Sequence, residues 1–287
     1  MTVPAEPQRF PKHTGGFMKF GICNEIFKEW NDLARTINFV KETGYDGLEI
    51  APFTLAPYVT DIPASTRSEI VRLAAAADLD ILGIHWVFVG PEGVFLTHPD
   101  AEVRRFTTQY LIDLVNFCGD VGGKVLIFGS PKQRNVGRDV TYNQAFDYAR
   151  EIFEAAMPAC EARDVTICME QLTHWETNFC HTPEQTVELI DAVNHPHFQL
   201  LLDTKAMSYL EEDRATLIRK YGKYLRHYHA NDTNFHGPGW GEVDFAPIFD
   251  ALRDINYDRY VSVEVFRFEA GPEAIAQKSL EYMKQFV

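Results

Sequence analysis

Short apolar runs alternate with longer amphipathic segments along the whole chain. MKFGICN (18–24) has the apolar density of a strand. NDLARTINFVKETG (31–44) follows with helical spacing, Asn31 or Asp32 placed to cap it and Gly44 to end it. YDGLEIAPF supplies a second strand with Glu49 near its end, and SEIVRLAAAADL (68–79) a helix whose alanines let it lie close to a sheet. ILGIHWVF (81–88) reads as strand three. After the long connection VGPEGVFLTHPD comes AEVRRFTTQYLIDLVNFCGDVG (101–122), the longest expected helix. KVLIFGS (124–130) is strand four, followed by the polar segment PKQRNVGRDVT and a helix from Tyr142 to Arg163.

The second half repeats the alternation with more chemistry in it. VTICMEQL, FQLLLD, LRHYHAND and YVSVEVF read as strands, separated and followed by the helices PEQTVELIDAV, EEDRATLIRKYG, DFAPIFDALRDI and PEAIAQKSLEYMKQF. Eight strands and eight helices in strict alternation predict an α/β protein, a (β/α)8 TIM barrel in a single domain over residues 18–287. Several strand cores are nearly unbroken apolar runs, as expected when both faces are buried. Residues 1–17 lack the apolar stretch of a signal peptide and are expected to form a flexible N-terminal leader. No Gly-x-Gly-x-x-Gly follows a strand, so a dinucleotide fold has no support.

Composition narrows the partners. The 287 residues include 41 acidic and 27 basic side chains, a formal charge of −14. Such a surface repels phosphate backbones, so no nucleic-acid partner is expected. No run of apolar residues is long enough for a membrane span, and no membrane partner is expected. The five cysteines are odd in number and contain no CxxC pair, which suits reduced thiols in a cytoplasmic protein.

Each late strand ends in, or carries near its end, a group able to hold a hard cation: Glu170, Asp203, His229 and Glu264. The gaps of 33, 26 and 35 positions each fit one strand, one helix and two loops. A single strand-end carboxylate usually caps a helix or meets an arginine. Four polar residues inside apolar runs at barrel spacing are another matter, because a carboxylate buried there is costly unless paired or metal-bound. Two Glu, one Asp and one His form an oxygen-rich set with one nitrogen, suited to one divalent ion: Mn²⁺ first, then Mg²⁺, Co²⁺ or Zn²⁺.

EQLTHWETNFCHTPEQ, LLDTKAM, HYHANDTN and VSVEVF resemble the xylose-isomerase-like barrels of sugar isomerases and epimerases, nearest the ketose 3-epimerases of the D-tagatose 3-epimerase type. The resemblance runs from MKFGIC to the C-terminus. It implies that Glu170, Asp203, His229 and Glu264 bind the metal, that Glu170 and Glu264 are also the acid/base pair, and that Glu176 contacts the carbonyl end of the sugar. The chain departs from the family where Ala206 replaces a histidine, and where Phe235 and His236 occupy a region that otherwise carries an arginine. Lys205, His85, Trp86, His236 and Arg134 are therefore expected to supply substrate contacts, with Trp86 stacking on a sugar face. Lys205 is placed by strand alternation beyond Asp203, with a rim salt bridge as its other role. Arg134 has the alternative of a solvated loop, and His227 and Asp232 are expected to orient His229. The implied function is a metal-dependent epimerase or isomerase of a small carbohydrate, working through an enediolate. Elimination from a keto-sugar, keto-inositol or 3-keto glycoside stands second, and a non-enzymatic sugar-binding barrel below it. Barrel relatives form dimers or tetramers, so a homodimer or homotetramer is expected.

Overall fold

The computed structural model describes residues 18–287; the expected leader at 1–17 lies outside them. Eight parallel strands close into a barrel in sequence order: β1 (Lys19–Cys23), β2 (Gly47–Ile50), β3 (Asp80–Ile84), β4 (Val125–Phe128), β5 (Thr166–Glu170), β6 (Phe198–Asp203), β7 (Leu225–Ala230) and β8 (Tyr260–Val263). Nine α-helices join them among the described residues: α1 (Leu33–Thr43), α2 (Ala64–Ala77), α3 (Ala101–Asp120), α4 (Tyr142–Arg163), α5 (Pro183–Val193), α6 (Thr204–Met207), α7 (Arg214–Tyr221), α8 (Ala246–Asp254) and α9 (Pro272–Met283).

Local chemistry sets many of the boundaries. Asp32 caps α1 by accepting from the Arg35 amide, and Gly44 ends it in the left-handed region. Thr141 and Gln144 form a reciprocal capping box on α4, and Thr182 caps α5 ahead of Pro183. At 22 residues α4 exceeds α3, at 20, so the expectation that α3 is the longest was wrong. Strand three also stops early. The His85 amide still bonds to the Ile50 carbonyl, but Trp86 turns to φ 51°, and the chain leaves the ladder at the barrel mouth. The additional helix, α6, is one turn capped by Asp203, whose Oδ1 accepts from the Ala206 amide.

Two apolar layers hold the barrel. The larger lies between strands and helices; the smaller, Val125, Ile127, Cys168 and Leu201, fills part of the interior. A Cβ on Gly21 or on Gly47 would collide with Leu82, so that side chain occupies room left by two strands without side chains at those positions. Strand alternation then sets Glu170 on the face of Cys168 and Asp203 on the face of Leu201, above this apolar floor.

Candidate metal centre and its surroundings

Glu170, Asp203, His229 and Glu264 converge at the C-terminal end of β5, β6, β7 and just past β8. Each offers one ligand atom, and these atoms all lie within 4.8 Å of one another. All four side chains are buried. His229 Nδ1 and Glu264 Oε2 are 3.1 Å apart, yet neither makes a hydrogen bond of acceptable geometry. Two buried, unsatisfied polar atoms facing each other across so short a gap are costly unless a third party receives both. The electrostatics agree. Burial, then the charges of Glu264 and Asp203, push the Glu170 carboxyl well above its usual range. Burial likewise raises Asp203. A divalent cation would relieve that repulsion, and the donor set fits one.

Other contacts hold these ligands in place. Asp203 accepts from Asn231 Nδ2 at 2.5 Å, and Trp86 Nε1 donates to Glu264 Oε1 at 2.7 Å. Gly129, just past β4, leaves the space that Glu170 Oε2 occupies, since a Cβ there would strike it. Beneath the cluster lies a second layer that the sequence reading left unassigned. Glu49, at the end of β2, is fully buried; its Oε1 is 2.7 Å from His227 Nε2 and its Oε2 is 3.3 Å from His229 Nε2. Burial alone would raise the Glu49 carboxyl, but the two imidazoles outweigh it and hold it well below the usual range. Glu25 pairs with His85 Nε2 at 2.7 Å. His227 therefore bonds to His229 only through Glu49, although the two rings also pack edge-to-face at 5.3 Å between centroids. Asp232, the other expected orienting partner, instead accepts from the Thr233 and Val243 amides and shapes the loop after β7. The signal for Glu49 was legible, since GLEI is a carboxylate in an apolar strand end like the others.

The expected substrate contacts divide. Phe53 and Phe266 each lie near-parallel to the Trp86 ring, at 5.7 and 6.1 Å between ring centroids. Trp86 is half-buried, and its indole N–H serves Glu264; its expected stacking on a sugar face remains a proposal. His85 is fully buried on Glu25. Lys205 reaches the mouth through the turn of α6 and not through a continued strand. Its ammonium bonds Glu176 at 2.8 Å and lies 4.2 Å from the Phe266 ring centroid. Arg134 is fully buried, so the solvated-loop alternative fails for it; Nη1 donates to the Glu170 carbonyl oxygen at 2.8 Å. The His236 ring stacks on Trp240, whose ring also carries the Lys278 ammonium from α9. No polar contact joins His236 to the four ligands among the described residues.

Residues 37–286 match the family model described as "Xylose isomerase-like TIM barrel". The chain belongs to that family. A D-psicose 3-epimerase of Enterocloster bolteae is 28% identical over 92% of this chain and 87% of its own length. A 3-dehydro-D-guloside 4-epimerase of Escherichia coli is 25% identical over 93% and 99%. Among solved structures, the fold of D-psicose 3-epimerase from Clostridium cellulolyticum H10 superposes with a TM-score of 0.80 at 22% identity, over 94% of this chain and 98% of that one. Family and metal-competent cluster together define an enzyme, a metal-dependent epimerase or isomerase of a keto-sugar that works through an enediolate, closely related to the ketose 3-epimerases. Among the described residues no helix is long and apolar enough to cross a membrane.

Proposed function

We propose that Glu170, Asp203, His229 and Glu264 hold one Mn²⁺ ion and that Glu170 and Glu264 move the proton. The observation that carries this reading is the convergence of two carboxylates from β5 and β8, three strands apart around the closed barrel, on one pair of intervening ligands. Carboxylates reaching a centre from different sides can take a proton from one face of a carbon and return it to the other. The ion, when bound, would draw charge from the substrate carbonyl and acidify the neighbouring C–H. Trp86 fixes one oxygen of Glu264, leaving the other for the centre. Lys205, held by Glu176 and by the face of Phe266, is placed to donate to a substrate oxygen. The four ligand side chains are themselves buried, which limits water competing for the proton.

A second reading concerns the substrate's size. Trp175, Phe235 and Phe268, on the loops after β5, β7 and β8, are exposed. A rim of aromatic side chains favours a sugar bearing an apolar group, such as a 3-keto glycoside, over a bare ketose. On such a substrate the same site could eliminate instead of epimerise. Mass-resolved product analysis in D₂O separates these outcomes, using metal-stripped protein resupplied with Mn²⁺ against ketoses, keto-inositols and 3-keto glycosides. The expected product keeps the substrate's composition and gains one deuterium. Loss of water or of an aglycone would move the chemistry to elimination, and no turnover across the panel would overturn the substrate class. The five buried, unpaired cysteines support a cytoplasmic setting. A homodimer or homotetramer remains the proposed assembly, to be read by light scattering.

A further inference from the structure

Resting on the metal reading above, the geometry points to Glu49 as the positioning residue of the centre: one buried carboxylate, accepting from Nε2 of both His227 and His229, holds His229 in the tautomer whose Nδ1 lone pair faces the cation. His229 has one nitrogen on each side of this question. Nε2 lies 3.3 Å from Glu49 Oε2, while Nδ1 lies 3.1 Å from Glu264 Oε2 inside the four-ligand cluster and makes no hydrogen bond. An imidazole that ligates a cation is neutral and carries one N–H. An ionised carboxylate can only accept, so the proton belongs on Nε2 and the lone pair on Nδ1.

His227 completes the device. Its Nε2 sits 2.7 Å from Glu49 Oε1, so each oxygen of the carboxylate has its own imidazole and the group cannot rotate without losing both. His227 and His229 are two residues apart on β7, which places both on the inner face. Nothing else bonds the Glu49 carboxylate: its only hydrogen-bond partners among the described residues are these two rings, with Cys23 and His85 alongside.

Glu49→Gln distinguishes positioning from packing because it keeps the shape. An amide can still accept from His227, but it then turns its NH₂ toward His229 Nε2. That contact requires a lone pair on Nε2 and drives the His229 proton to Nδ1, where the cation should sit. Mn²⁺ titration of metal-stripped protein should show binding weakened roughly 10–100-fold, the usual cost of losing an outer carboxylate partner. The metal-free melting temperature should stay within a few degrees. Glu49→Asp, which keeps the acceptor, should recover part of the affinity. Nitrogen-15 NMR of the imidazoles in wild type loaded with diamagnetic Zn²⁺ needs no variant: His229 should carry its proton on Nε2 and none on Nδ1. A proton on Nδ1 there, or folded Glu49→Gln binding Mn²⁺ as tightly as wild type, would overturn the role of Glu49 while leaving the metal centre standing. Wild type that binds no divalent ion would remove the metal reading, and this inference with it.

Discussion

The early and late strands of this barrel end in the same chemistry, carboxylates and imidazoles, and use it differently. Around β1 to β3 each buried carboxylate has its own imidazole, Glu25 with His85 and Glu49 with His227, each at 2.7 Å, although Glu25 Oε1 and His85 Nδ1 stay unbonded. From β5 to β8 the polar atoms crowd together with lone pairs unspent, notably His229 Nδ1 and Glu264 Oε2. Burial is equal on the two sides. What separates a support from a site is whether a buried carboxylate faces a counter-group, as Glu49 faces two imidazoles, or other carboxylates, as Glu170 faces Glu264 and Asp203.

The largest test of that division is Glu264→Gln. It removes both a ligand charge and a proton acceptor, and turnover should fall by about 10³-fold, within the range assigned to positioned acid/base groups. The barrel should remain folded. Wild-type turnover at saturating Mn²⁺ would break the comparison at its strongest point.

Gly129→Ala attacks a ligand without changing it. A Cβ at this position must displace Glu170 Oε2, the mobile end of a side chain, so metal-free stability should change by no more than about 1 kcal/mol. Mn²⁺ affinity should fall further than the roughly 100-fold that loss of an outer partner costs, because a ligand itself is moved. Trp86→Phe is milder. It keeps an aromatic ring against Phe53 and Phe266 but deletes the N–H that holds Glu264. A hydrogen bond to a charged group contributes about 1.5–3 kcal/mol, so turnover should drop roughly 10- to 100-fold with substrate KM little changed. A rise in KM alone would make Trp86 a binding surface.

The late half was legible because each of its polar residues interrupts an apolar run: VTICME, FQLLLD, the end of LRHYHA and VSVEV. Barrel order then brings the four together without further information. The supports were harder to see. Glu49 breaks GLEI in the same way, but its partners stand 178 and 180 residues away, and nothing local says which imidazole it meets. Glu25 sits in a short 3-10 helix with no periodic pattern, 60 residues from His85. Trp86 looked like the interior of a strand because WVF is as apolar as a strand core. Its left-handed backbone, which aims the indole at Glu264, has no signature in residue type.

Glu176 is the exception that sharpens the comparison, since it belongs to the late half but is paired like an early one. Its Oε1 receives the Lys205 ammonium, and its Oε2 receives the Thr173 amide and hydroxyl. Burial would raise its carboxyl, but Lys205 and Thr173 outweigh burial and hold it below the usual value of 4.5. A carboxyl lowered on folding contributes stability that is present above its unfolded pKa and lost as pH falls through the folded one. Lys205 is shifted upward, so its share is present below the unfolded lysine value and lost only in strong alkali. The stability difference between wild type and Glu176→Gln should therefore be flat from about pH 5 to pH 9 and shrink below about pH 4.5. Its size should be only about 1–2 kcal/mol, because the side chain is partly open to water and an amide can still accept from Lys205. That profile with unchanged KM would class Glu176 with the supports. A raised KM with no pH-dependent loss of stability would place it with the residues that meet the sugar.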